Sequence, residues 1–371
     1  MTEAAVAQES RWLSAAARAG AAVFLGVVPV CLVAFLLAAN GHHPTDFRTF
    51  WDSSRAILHG RSPYPTLASL PAHADRTTFA PFVYPPLAAV PMLPLALLPF
   101  GVAVVGFILV DLAAVVLALR LLGVRDLRCH GAALASAPVF AATGIGAISP
   151  LLLLGLAAAW RYRDRALAAG ALVAYVVTAK VFLWPVWLWL VRTRRFRAAV
   201  IGAVAALAGT MATWAAIGFG GLREYPALLA RLTGLVGPES YSPYALGRSV
   251  GLGGGAAQAG TYVLAAVVAA AALLRFRDDA RLLIAAIAVA LVATPILWPH
   301  YLVLLFVPIA LARRSFSPLW LAPAATWADA EGWSSGSALR IAGLIAIASA
   351  TVAMTLRASR TGHVAVGELR M

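Results

Sequence analysis

Acid is scarce in this chain of 371 residues: 15 Asp and Glu stand against 29 Lys and Arg, and only one of the 29 is a lysine, Lys180. Charged residues make up 12% and hydrophobic residues 62%, against ~25% and ~45–50% in soluble domains, which excludes a soluble globular fold. Cysteine is nearly missing. Cys31 sits inside an apolar run and Cys129 in a basic loop, so no disulfide framework is implied. No HExxH, DxD or Cys pair is present to gather a metal, and none is expected. A repeat of 20–50 residues, the mark of a solenoid, is also absent, as is a visible inverted repeat.

What the chain has instead is apolar length. Runs at 19–39, 101–122, 198–217, 258–274, 282–297 and 338–356 approach the ~20 residues that cross a bilayer. The first continues past the length of a cleaved signal and lacks a small-residue cleavage site, so it reads as an anchor. A net charge of +14 suggests nucleic acid only if the basic residues share one face. Twenty of the 29 form seven short clusters beside apolar runs: Arg11 and Arg18, then 120–128, 161–165, 192–197, 275–281, 313–314 and 357–370. Cytoplasmic loops carry such an excess, which puts all seven clusters and both termini inside a plasma membrane. The expected organisation is a cytoplasmic tail at 1–18, a single transmembrane domain at 19–357 and a second tail at 358–371.

Between Arg165 and Arg192 the chain must go out and return within 26 residues, so it does so in half-length helices that turn near Lys180. The same holds between His130 and Arg161, where TGIGAIS at 143–149 supplies the turn. Helices that stop part-way need a protein or water partner for their freed backbone, which marks a cavity open to one side. Long outward loops are expected at 40–82 and 218–257, with tips near Lys180, His300 and 329–337. Five prolines in 83–100 argue against a regular span and for a segment at or dipping into the outer face.

The first outer loop places Phe47, Phe50, Trp51, Ile57 and Leu58 at helical spacing between polar residues, an amphipathic surface helix that Gly60 and Pro63 stop. Asp46 opens that helix, either as a cap beside Thr45 or as a carboxylate at a cavity mouth acting as general base on a sugar hydroxyl. Asp52 is the second-choice carboxylate, but six residues on it faces elsewhere, solvated or paired with Arg55. Lys180 lies in the apolar stretch VAYVVTAKVFLWP, as a snorkelling side chain or as a cation for an anionic phosphate. His300 in WPHY packs beside Trp298 and Tyr301, or donates a hydrogen bond to phosphate or sugar. Arg248 precedes GLGGG at 251–255, a flexible segment able to order over a substrate, and Asp111 inside 101–122 is expected to pair with a neighbouring helix.

Asp46, then Gly60, Pro63 and Tyr64, then Tyr84 to Leu87 (YPPL), then Lys180 before an aromatic-proline stretch, then WPHY at 298–301 occur in an order that resembles glycosyltransferase family 87 of the GT-C superfamily over roughly 20–357. The resemblance implies an all-α polytopic GT-C-type bundle of about 10–12 full and half-length helices. It also implies transfer of a sugar, usually mannose, from a polyprenyl-phosphate donor to a glycolipid or glycan acceptor outside the membrane, without cofactor or metal. In that scheme Asp46 is the base, and Lys180, His300, Arg248 and Tyr84 lie near donor phosphate or sugar. Two departures stand out: Tyr241 to Tyr244 replaces an Asn/Gln-Ser step, and Tyr301 stands where a second histidine is frequent. A transporter or flippase of a lipid-linked substrate is the alternative that the half-length helices also suit, with Asp111 as its one midplane ionisable residue. A structural or scaffolding membrane protein is a third reading, in which the ordered outer polar set is coincidental.

Overall fold

The computed structural model describes residues 44–71, 81–329 and 337–367, with Ala15 and Gly20, the side chains of 328–329 and 360–367 excepted. Apart from Ala15 and Gly20, the anchor at 19–39 and the N-terminal tail lie outside the described residues, as do most of the tip at 329–337 and the final residues. The described residues form helices and no strands.

Helix α1 (Thr45–Leu58) buries Phe47, Phe50 and Trp51 along one side and leaves Arg48, Asp52 and Arg55 exposed on the other. Gly60 ends it with a left-handed backbone at φ 65. The proline-rich segment makes a 3-10 stretch, Pro86–Met92, and a single turn α2 (Leu93–Ala96), because prolines at every few positions withhold the N–H groups a regular helix needs. Pro99 then starts α3 (Phe100–Leu121), whose 22 residues reach ~33 Å. Three other helices are also long and apolar enough to cross a membrane: α9 (Phe196–Ala216), α12 (Gly254–Arg275) and the 338–359 part of α15 (Ala338–Gly367).

Shorter pieces fill the space between these spans, namely α4 (Leu127–Leu134), α5 (Ala137–Ile145), α6 (Ser149–Arg161), α7 (Ala166–Ala179) and α8 (Pro185–Arg192). Helices α5 and α6 bend by 119° about Gly146 at φ +65. A Cβ at Gly146 would collide with the Phe47 Cβ and lie 3.3 Å from that of Pro44, so this bend seats the start of α1. Helix α7 lies against α9 at two glycines: a Cβ on Gly170 would be 2.7 Å from the Ala198 carbonyl oxygen. Small residues permit this approach where lipid provides no hydrophobic drive.

The remaining elements are α10 (Tyr225–Val236), α11 (Pro243–Ser249), α13 (Asp279–Ala293), a 3-10 segment Pro299–Leu305, α14 (Phe306–Ala312) and a 3-10 segment Pro318–Asp329. Two expectations are corrected here. The run at 282–297 is not one span: α13 stops at Ala293, and Thr294 is extended (φ −72, ψ 128), as the residue before a proline is pressed to be. The segment expected as an outer loop, 218–257, is itself largely helical, carrying α10, α11 and the start of α12, which takes in Gly254 and Gly255 of the glycine run. Asp111 is fully buried in α3, and neither of its oxygens has a hydrogen-bond partner among the described residues, so the expected pairing is not made.

Charged side chains tie the helix ends opposite α1. Arg195 donates to Asp279 at 2.6 and 3.0 Å and to Asp164 at 2.8 Å, joining three connections. Asp126 caps α4 by accepting from the Arg128 N–H at 3.0 Å, and accepts from the Phe316 N–H at 2.9 Å. The Arg128 guanidinium, donating to the same carboxylate at 2.9 and 3.1 Å, together with these two backbone bonds holds the Asp126 carboxyl down at about 2. Basic clusters far apart in sequence thereby meet at one end of the bundle. The near ends of the same helices reach the other side: Phe100 packs on Phe47 and Trp214 stacks on Tyr64.

A candidate active site at the start of helix α1

A cleft lined by Asp46, Thr49, Pro81 and Tyr84 opens beside the first turn of α1. Aromatic stacking lies behind it. Phe47 stacks on Phe107 at 4.7 Å and Phe50 on Tyr84 at 4.7 Å, so the buried face of α1 fixes where its first turn points. Pro44 occupies the cap position without a side-chain bond, and Asp46 does not cap. Among the described residues no hydrogen bond or ion pair reaches its carboxylate. Burial pushes that carboxyl above its usual 3.8, and the nearby Lys180 ammonium offsets part of the rise.

The backbone at Val83 and Tyr84 is pinned by two tyrosines. The Tyr64 hydroxyl donates to the Tyr84 carbonyl at 2.6 Å, the Tyr225 hydroxyl donates to the Val83 carbonyl at 2.8 Å, and Tyr64 itself stacks on Trp214 at 4.8 Å. The extended segment at 81–85 therefore depends on the end of α9 and the start of α10.

Lys180 stands where α7 breaks, with an extended backbone (φ −144, ψ 98) between that helix and the 3-10 turn Val181–Leu183. Its side chain is 6% exposed, so it does not snorkel to open water. Nζ donates to the Tyr84 hydroxyl at 2.9 Å and to the Tyr301 hydroxyl at 2.7 Å. His300 is 2% exposed, meets the Tyr301 ring edge-on at 4.6 Å, and has no partner on either ring nitrogen among the described residues. The segment leading to it is held by α11: the Tyr241 N–H donates to the Leu297 carbonyl at 2.8 Å and Ser242 Oγ to the Pro295 carbonyl at 2.7 Å.

Asp46, Tyr84, Lys180 and His300, 254 positions apart at the extremes, thus share one neighbourhood. Two candidates lie apart. Asp52 is exposed and paired with Arg48 at 3.1 Å, not with Arg55, whose guanidinium lies 4.6 Å from the Trp51 ring centroid. Arg248 is exposed and donates to the Leu252 carbonyl at 3.0 Å inside its own turn. Tyr301, Tyr64 and Tyr225 were not singled out as site residues by sequence reasoning. The signal for Tyr301 was its place beside His300, read there only as a departure from a pattern. No three His, Cys, Asp or Glu side chains gather among the described residues.

Apolar spans, half-length helices and a polar cleft at one end define an all-α polytopic membrane protein. Residues 82–308 match the family model of glycosyltransferase family 87, and since this is more than half the chain, the protein belongs to that family and is a membrane glycosyltransferase. The matched region contains Tyr84, Lys180, Arg248 and His300 and begins after Asp46. No curated protein and no solved structure matches the chain.

Proposed function

We propose that the protein transfers a sugar, mannose for preference, from a polyprenyl phosphate to a glycolipid or glycan hydroxyl, with Asp46 as base and Lys180 as the charge acceptor. The observation that carries this reading is an unpartnered carboxylate in a cleft beside a buried ammonium. The acceptor O–H gives its proton to Asp46 as its oxygen bonds to the anomeric carbon. The bond from that carbon to the phosphate oxygen breaks and its electron pair leaves with the polyprenyl phosphate. Lys180 meets the charge that develops there, in surroundings with little water to screen it. The phosphate needs no acid to depart, so one carboxylate is enough, and a single displacement turns a β-linked donor into an α-linked product. His300, with both nitrogens free of protein partners, serves as a hydrogen-bond donor or acceptor to the sugar or phosphate. Arg248, which donates to the Leu252 carbonyl in its own turn, is not required by this step.

The basic clusters collect at the helix ends away from the cleft, which supports an outward-facing active site and termini in the cytoplasm. Membranes from cells expressing the protein, given radiolabelled polyprenyl-phosphate-mannose, should yield a labelled glycolipid or glycan absent from membranes of control cells. Passage of labelled donor across the membrane without a transferred label would replace this reading with the transporter one.

A further inference from the structure

Resting on the reading of Lys180 as charge acceptor, the geometry points to Tyr301, with Tyr84, as a positioning residue that aims the Lys180 ammonium at the departing phosphate. An ammonium has three N–H donors and no acceptor, and keeping it away from water is costly unless those donors are used. Lys180 is 6% exposed in an apolar setting, and two of its N–H groups go to hydroxyls supplied by segments 96 and 121 residues away. Nζ also lies 4.6 Å from the Tyr84 ring centroid and 4.4 Å from that of Tyr301, inside the range in which a ring face attracts a cation.

Neither ring is free to swing. Phe50 stacks on Tyr84 at 4.7 Å, and Phe182, two residues past Lys180, stacks on Tyr301 at 5.1 Å. With two donors held at fixed places, the tetrahedral ammonium can turn its third N–H in one direction only. Tyr84, one of the two hydroxyls that hold Nζ, lines the cleft together with Asp46. Without the Tyr301 hydroxyl the flexible four-carbon stem can pivot about the Tyr84 bond, and the third N–H loses its aim.

The test is a double-mutant cycle with full-length protein in detergent or nanodiscs, using wild type, Tyr301→Phe, Lys180→Met and the pair. Turnover and equilibrium binding of labelled polyprenyl-phosphate-mannose are both read, so the cycle stays readable when Lys180→Met turns over slowly. Elution and melting confirm that each variant folds. Tyr301→Phe should lower kcat/KM by ~10-fold with Lys180 present, and change turnover or donor binding less than ~2-fold in the Lys180→Met background, because residues acting as one unit are not additive. An equal loss in both backgrounds, or no loss in the single variant, overturns the role of Tyr301 while leaving Lys180 in place. Wild-type turnover by Lys180→Met instead overturns the underlying reading.

Discussion

At the cleft end of the bundle Asp46 has no hydrogen-bond or ion-pair partner among the described residues and its carboxyl is pushed up by burial, whereas at the opposite end Asp126 accepts from Arg128 and two backbone N–H groups, Asp164 accepts from Arg195, and both carboxyls are held down. The two ends use the same residue type for opposite purposes. A paired carboxylate ties helices together and has little basicity to offer. An unpaired one, with its charge partly uncompensated, destabilises the resting protein and is available to take a proton. The end that ties the fold is thus distinct from the end where the chemistry is proposed, as expected when functional sites break rules kept elsewhere.

The sharpest way to break this contrast is Asp46→Asn, which should lower transfer by about 10²- to 10⁴-fold while labelled donor still binds. Full turnover would end the assignment. The same substitution should raise the melting temperature at neutral pH. A carboxyl with a raised folded pKa loses stability as pH climbs from 3.8 through that pKa, and asparagine carries no such loss. For the wild type, kcat/KM should rise with pH through an inflection above 3.8, absent in residual Asp46→Asn activity.

At the other end the sign reverses. Asp126→Ala removes a cap and should cost about 0.5–2 kcal/mol, seen as lowered melting, with turnover per folded molecule unchanged. The contribution of Asp126 is present above 3.8 and fades as pH falls toward about 2, so variant and wild type should converge in melting temperature there. Arg195→Met, which unlinks Asp164 and Asp279, should cost about 1–2 kcal/mol, less than its bond count suggests because Asp164 faces water. The smallest effect belongs to Asp52→Asn. Its ion pair with Arg48 is exposed, so stability should shift by less than ~0.5 kcal/mol, and transfer should stay within twofold; a large loss would return Asp52 to the site.

Composition and the apolar runs were enough to read an all-α membrane protein, because a lipid environment leaves a helix little alternative once ~20 apolar residues are in line. Charge spacing did the same for the half-length pairs: 26 residues between Arg165 and Arg192 cannot go out and back as full spans, and the structure breaks there at Lys180. Where local rules compete, the sequence was less legible. Thr294 and Pro295 cut short a run that hydropathy alone extends to 297, and the 218–257 segment holds two helices, α10 and α11, too short to register as apolar spans.

For the site, sequence supplied which residue types were unusual: a single lysine, an aspartate opening an amphipathic helix, a histidine after Trp-Pro. Tertiary structure alone decided that Lys180, Tyr84 and Tyr301 meet at one nitrogen, that Asp52 turns to water, and that Arg248 stays in its own turn. The physical reason is range. Backbone geometry and hydropathy act over a few turns and are written locally, whereas a hydrogen bond across 121 residues exists only when the packing of Gly146 on Phe47 and of Gly170 on Ala198 brings distant helices to the same place.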